Sequence, residues 1–164
     1  MVVVSEQALE VPQMRIRAMQ DADVAEIVRI ERASYAFPWS EGIFRDCLRV
    51  NYMCRVAEIG AHLIGYGIMS LGAGEAHLLN LCIAESYRCR GVGRRLLTHL
   101  LQLAGNAGAH EAFLETRPSN SAAIRLYESL HFVQIGIRRG YYQAAAGRED
   151  AIVLKRRVRA GEID

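Results

Sequence analysis

Apolar positions along this chain change period several times, and each change marks an element. Met14 to Met19 (MRIRAM) alternates apolar and polar residues, as a half-buried strand does. Asp21 or Asp23 then caps a helical pattern in which Val24, Ile27, Val28 and Ile30 share a face. In AFPWS, Pro38 disfavours helix at Phe37, and Ser40 is placed to cap a second helix through EGIFRDCLRV. Three strand-like runs follow between Tyr52 and Ile83, YMCRVAEI, HLIGYGIMSL and EAHLLNLCI. Short glycine-bearing turns at Gly60 and at Gly72 to Gly74 join them into an expected antiparallel meander. Farther on, Val92, Leu96, Leu100, Leu103 and Ala104 fall on one helical face, and EAFLET reads as a short buried strand. Asn120 to Leu130 reads as a helix capped by Ser119 or Asn120. HFVQIGIRRGYY and AIVLKRRV close the chain as two strands around a loop, QAAAGRED. The predicted order is βααβββαβαββ, a mixed α/β layer.

Composition narrows the class. With 164 residues, 51% apolar and 23% charged, the chain is sized for one domain that buries roughly two thirds of its unfolded surface. It has no internal repeat or low-complexity linker, so a single domain is expected over residues 14–158, with a flexible extension at 1–13 and a tail at 159–164. A net charge of +2 is too small for the basic stripe of a nucleic-acid binder. Cys47, Cys54, Cys82 and Cys89 form no C-x-x-C and the five histidines are scattered, so neither a disulfide framework nor a metal site is expected. A reducing cytoplasm is the simplest compartment. The opening MVVVSEQALEVPQ lacks the form of a leader, and no apolar run approaches the ~20 residues that span a bilayer, so a soluble protein without a membrane partner is expected.

The stretch YRCRGVGRRLL, Tyr87 to Leu97, sets two glycines among four arginines just before a helix. A helix start has unpaired N–H groups and a partial positive charge, and can receive a phosphate or pyrophosphate directly. Gly91 and Gly93 let the backbone approach such a group, and Arg88, Arg90, Arg94 and Arg95 add charge; the plainer alternative is a turn rich in surface arginines. A Walker loop would need Gly-Lys-Ser/Thr, which is absent. A dinucleotide fingerprint would need a third glycine where Leu96 stands, and parallel βαβ units where a meander is expected.

RCRGVG resembles the R/Q-x-x-G-x-G/A acyl-coenzyme-A loop of the GNAT superfamily of N-acetyltransferases. RPSNSAAIRLYESLHF resembles that superfamily's N-x-x-A-x-x-x-Y-x-x-x-G-F segment, with Asn120, Ala123, Tyr127 and Phe132 in register. The resemblance spans nearly the whole chain and implies the GNAT acyl-CoA N-acyltransferase fold, a mixed, mostly antiparallel sheet flanked by helices. One departure is His131, which stands where the family has a glycine that ends the helix in a left-handed conformation. YAFPWSEGIF, LETRPSNSAAIRLYESL and RRGYYQAAAGREDAIVL further resemble the bacterial ribosomal-protein-alanine N-acetyltransferases, the RimI type. That likeness implies transfer of acetyl from acetyl-CoA to the N-terminal alanine of the eighteenth small-subunit ribosomal protein; the small net charge leaves no direct nucleic-acid contact expected.

Attack of an amine on a thioester needs a neutral amine, a proton acceptor, a donor for the oxyanion and a proton for the leaving thiolate. Glu115, ending EAFLE, is the candidate base, directly or through water; the alternative is a carboxylate paired with Arg117. The matching motif places Tyr127 to protonate the thiolate, though its helical spacing also suits a core aromatic. Backbone N–H groups of Leu81, Cys82 or Ile83 are candidates to polarise the carbonyl and hold the pantetheine arm. The loop resemblance adds Cys89, Arg90, Gly91, Val92, Gly93 and Arg94 as coenzyme contacts, and Asn120 as a contact to the arm or a simple helix cap. Trp39, with Tyr141 or Tyr142, is a candidate lining of the peptide entrance, and Glu41, Glu149 and Asp150 are candidates to attract a basic tail; ordinary core aromatics and solvated charges are the alternative. An acyl-cysteine at Cys82 or Cys89 would predict ping-pong kinetics, and direct transfer in a ternary complex is preferred. An acetyltransferase for lysine or a small amine, and a non-catalytic acyl-CoA binding module, remain as other readings.

Overall fold

The computed structural model describes residues 13–161. The expected N-terminal extension thus lies, up to residue 12, outside the described residues, as do residues 162–164 of the expected tail. The strands are β1 (Met14–Ala18), β2 (Met53–Ile59), β3 (His62–Gly72), β4 (Glu75–Ile83), β5 (Glu111–Thr116), β6 (Val133–Ala144) and β7 (Gly147–Arg157). The helices are α1 (Val24–Ser34), α2 (Glu41–Arg49), α3 (Val92–Asn106) and α4 (Ser121–Ser129), in the order the apolar periods predict. No helix among the described residues is long and apolar enough to cross a membrane.

One seven-stranded sheet runs β1-β2-β3-β4-β5-β7-β6. Every pairing is antiparallel except that of β4 with β5. α1 and α2 cover one face of the first half, where Val24, Ile27 and Phe44 meet Val56, Tyr66 and Ile68. α3 and α4 cover the opposite face, where Leu97, Leu100 and Tyr127 meet Leu78, Leu114 and Leu154. The parallel pair is short: Glu75–Leu78 lies beside Glu111–Leu114, and past that point the two strands have no shared register. Just there β4 carries a bulge, since Ile68 stands opposite Asn80 but Met69 opposite Leu78. A bulge bends its strand and increases local twist, which carries the end of β4 away from β5.

Three local details differ from the sequence expectations. Asp23 precedes α1, but its carboxylate is taken by Arg17 and by the Gln20 N–H, so it caps the short 3-10 turn Asp21–Asp23 and not the helix. The expected loop QAAAGRED is mostly strand: Tyr142 pairs with Glu149, Gln143 with Arg148 and Ala144 with Gly147, leaving Ala145 and Ala146 as the turn. Its charged residues sit on an exposed ribbon, where alternation carries no apolar signature. β6 begins at Val133 because His131 takes the left-handed conformation itself, at φ 67°. The His131 N–H donates to Glu128 and the Phe132 N–H to Tyr127, both at 3.0 Å, while the Tyr127 and Phe132 rings lie 6.0 Å apart. These are the two bonds and the apolar contact of a Schellman stop, formed without glycine.

Gly105 allows the close approach of the chain's end to α3. A Cβ there would lie 2.6 Å from the Arg159 carbonyl oxygen, whereas one at Gly136 would meet nothing within 4 Å. Gly105→Ala is therefore expected to destabilise the fold by about 1–3 kcal/mol in urea unfolding, with Gly136→Ala near neutral as its control.

Candidate functional site

Past the bulge, the backbone polar groups of β4 sort by side. The Ala84 N–H donates to the Ile64 carbonyl at 2.8 Å, so Cys82 and Ala84 turn their polar groups toward β3. Leu81 and Ile83 turn theirs toward the side that β5 has left. Both carbonyls are occupied there: Tyr35 Oη donates to Leu81 at 3.0 Å and Arg88 Nε donates to Ile83 at 2.9 Å. Alternation leaves the Leu81 and Ile83 N–H groups facing the gap. The Cys82 thiol is buried on the α1 side.

The loop leading into α3 is built from a 3-10 turn, Glu85–Tyr87, and two left-handed residues, Cys89 at φ 60° and Gly91 at φ 78°. Gly91 is the N-cap, and its carbonyl accepts the Arg95 N–H at 3.1 Å. The N–H groups of Val92, Gly93 and Arg94 begin the helix, where no carbonyl of the preceding turn can reach them. Gly93 also lets α3 lie close to α4, since a Cβ there would sit 3.3 Å from Leu126 Cδ2. The arginines are braced by neutral groups. Arg88 reaches Ser34 Oγ as well as Ile83, Arg90 lies over the Tyr87 ring, Arg94 donates to Ser129 Oγ at 2.6 Å and Arg95 points at the Met14 carbonyl. None of the four is paired with a carboxylate among the described residues. Their charge therefore adds to the field of the helix start, a combination suited to a pyrophosphate.

Glu115 sits on β5 one residue past its last pairing with β4. Its side chain is 8% exposed. It is not paired with Arg117, which instead bonds Glu149 at 3.0 Å and lies over the Tyr142 ring. Glu115 Oε2 lies 2.5 Å from His77 Nε2 on β4, and its Oε1 lies 3.5 Å from Arg138 on β6. Tyr127 on α4 is buried among core residues, and desolvation pushes its phenol up to about 12. Among the described residues its hydroxyl has no hydrogen-bond partner. Burial foremost, with neighbouring groups that include Tyr127, also pushes the phenols of Tyr35 and Tyr142 up, and Glu115 acts on Tyr142 in the same sense. Tyr35 meets the open edge of β4 through its bond to Leu81, and Glu115 stands on the strand that faces that edge. Asn120 Oδ1 accepts the Ala123 N–H at 3.3 Å, capping α4.

The expected entrance residues divide. Tyr141 is exposed, edge-on to Tyr142 and under Arg138. Trp39 is half-buried against Phe44, with ring centres 5.4 Å apart. The acids are engaged within the fold: Glu41 pairs with Arg45, Glu149 with Ser119 and Arg117, and Asp150 accepts the Gly140 N–H. Four residues absent from the sequence reading shape the site: His77, Arg138, Tyr35 and Glu31. Glu31 is 2% exposed on the apolar face of α1 and has no cationic partner among the described residues. It accepts from Tyr66 Oη, from Asn80 Nδ2 at 3.1 Å and from the Trp39 N–H at 3.1 Å. A charged residue at the i+4 position from Ile27, inside an apolar stripe, was the available signal for it.

A sheet that splays beside a helix start ringed by arginines is the architecture of an acyl-CoA-dependent transferase, and the chain belongs to the acetyltransferase (GNAT) family, whose model matches residues 24–132. Within that family, it is 37% identical over 139 residues to the [ribosomal protein bS18]-alanine N-acetyltransferase of Escherichia coli strain K12. The match covers 85% of this chain and 94% of the relative. The crystal structure of the ribosomal-protein-S18-alanine N-acetyltransferase from Escherichia coli superimposes with a TM-score of 0.84 at 34% identity, covering 91% of this chain and 96% of that one. A putative acetyltransferase from Salmonella typhimurium, yncA, solved with its cofactor acetyl-CoA, shares the fold at a TM-score of 0.76 and 20% identity, over 92% and 97% of the two chains.

Gly91→Val would force a β-branched residue into the left-handed region at the helix start. Acetyl-CoA titrated into this variant by calorimetry is expected to bind at least tenfold more weakly than to the parent protein. Unchanged affinity would remove the loop from the coenzyme site.

Proposed function

We propose that this N-acetyltransferase transfers the acetyl group of acetyl-CoA to the N-terminal alanine α-amine of ribosomal protein bS18, by direct attack in a ternary complex. The observation that carries this reading is the placement of Glu115 on β5 at the mouth of the gap whose other lip is the Leu81–Ile83 edge and the α3 start. The E. coli relatives bear that activity in their names. The pyrophosphate is assigned to the N–H groups of Val92, Gly93 and Arg94 with the surrounding arginines. The pantetheine arm is assigned to the open side of β4, with Asn120 Nδ2 beside it. The same edge supplies N–H donors for the thioester oxygen. The substrate tail is assigned to the exposed Tyr141, with the half-buried Trp39 as a second candidate contact. A cytoplasmic location is assigned together with this substrate, and four free thiols suit such a reducing compartment.

Magnitudes define the roles. An α-ammonium with pKa near 8 is about a tenth neutral at pH 7, and a lysine near 10.4 is scarcer by about 2.5 further units. A carboxylate base therefore suits an N-terminus better than a lysine. Glu115 is assigned to take the amine's proton, directly or through water. Tyr127 stays protonated at neutral pH, so it donates to the sulfur as charge develops. Its proton is assigned to the coenzyme thiolate as the C–S bond breaks. Direct transfer is favoured because Cys82 is buried and Cys89, though exposed, has no histidine or carboxylate partner among the described residues.

The test is mass spectrometry of acetyl-CoA with an alanine-initiated basic peptide containing an internal lysine, beside the same peptide with a blocked terminus. Acetylation confined to the free α-amine is the expected result. Modification of lysine in the blocked peptide would move the activity to lysine, and no product from either, with coenzyme bound, would leave a small amine or a binding role.

A further inference from the structure

The two faces of the sheet deliver different parts of the site. α3 and Tyr127 of α4 belong to the face on which Leu97, Leu100 and Leu114 pack. Successive side chains of a strand point to opposite faces, so Glu115, next to Leu114, points to the other one. That is the face of α1 and α2, where the Cys82 side chain also packs. Tyr35 follows the last residue of α1 and reaches the open edge of β4 from this same face. Its Oη donates to the Leu81 carbonyl at 3.0 Å, and the Cys82 thiol is an electrostatic neighbour of the phenol. With the coenzyme assigned to the α3 start and the β4 edge, the α1 face is left for the amine.

The bond to Leu81 sets what the Tyr35 hydroxyl can offer. A phenol is protonated at neutral pH and has one hydrogen, which Leu81 takes. The oxygen is then an acceptor. Tyr35 is 36% exposed, so a ligand at the edge can reach it. Glu31, one turn back on α1, is another electrostatic neighbour of the phenol, and a negative neighbour favours a donor with positive charge. The residue is also held in place: its N–H donates to the Glu31 carbonyl at 3.0 Å, and the adjacent Ser34 Oγ accepts from Arg88 at 3.1 Å.

We propose that Tyr35 holds the substrate's α-amine, its Oη accepting one N–H while Glu115 takes the proton that is lost. This rests on the acetyl-transfer reading above and deepens it. An amine that has given one proton to Glu115 keeps two N–H bonds and a lone pair. Tyr35 fixes one N–H at the β4 lip and Glu115 draws the proton toward the β5 lip. The lone pair is then left to face a thioester carbon lying along the edge, which is the orientation that attack requires.

The test compares Tyr35→Phe with the parent on two basic peptides, one beginning with alanine and one with a propanoyl group, which differs only in lacking the amine. Tyr35→Phe keeps the ring and removes the acceptor. Its KM for the alanine peptide is expected to rise on the order of tenfold, the effect of one lost hydrogen bond. The propanoyl peptide, measured as an inhibitor with acetyl-CoA saturating, should keep its inhibition constant, and KM for acetyl-CoA should stay within twofold. Equal weakening of both peptides would make Tyr35 a support of the α1–α2 connection. A higher KM for acetyl-CoA alone would give the phenol to the coenzyme. Either result, or an unchanged KM for the alanine peptide, overturns the proposal while leaving the acetyl-transfer reading intact. A parent protein that acetylates no α-amine overturns that reading and the proposal with it.

Discussion

The parting of β4 from β5 after Leu78 and Leu114 is the constraint on which the site depends. Elsewhere neighbouring strands stay paired, even across the register shifts of β2–β3 and β6–β7, and an open sheet interior would normally be costly because unpaired backbone groups lose hydrogen bonds without regaining water. Here the cost is limited from both sides. The bulge at Leu79 and Asn80 turns β4 away, and the carbonyls of Leu81 and Ile83 are met by Tyr35 and Arg88. What remains open is a short row of donors, next to a helix start whose arginines have no carboxylate partner among the described residues. The coenzyme assignment follows from that leftover chemistry: N–H groups for an amide-bearing arm and carbonyl, and positive charge for a pyrophosphate.

A buried acid holds this opening in shape. Glu31 receives a phenol from β3, an amide from the β4 bulge and the backbone N–H of Trp39, so one carboxylate ties the α1–α2 connection to the strand that forms one lip of the gap. Three donors and, among the described residues, no cation make it a positioning group, because loss of the carboxylate would leave all three unpaired in the core. Glu115 occupies the opposite lip in a different setting, with a histidine and an arginine beside it. Two carboxylates in one fold thus divide into a structural and a chemical part according to what surrounds them.

Much of this was legible in the amino-acid sequence, and the reasons are local. Helices and strands follow from apolar period, and Gly91 and Gly93 announce a backbone that must stay bare. His131 was marked as a departure, and it adopts the left-handed turn that the position needs. The hairpin from Gln143 to Arg148 escaped because its exposed face carries no apolar alternation. The His77–Glu115 contact escaped for a different reason: it joins residues 38 apart across a parallel pair whose register no turn fixes. Arg138 and Tyr35 reach the site only through the same nonlocal geometry.

The central claim is that the coenzyme lies along the open side of β4 and against the first turn of α3. Amide hydrogen exchange with and without acetyl-CoA tests it most directly. The account predicts new protection at Leu81, Ile83 and Val92 to Arg94, with the Cys82 amide, already turned to β3, little changed. Protection confined to α2 or to the β6–β7 ribbon, with the β4 edge and the α3 start unaffected, would contradict it.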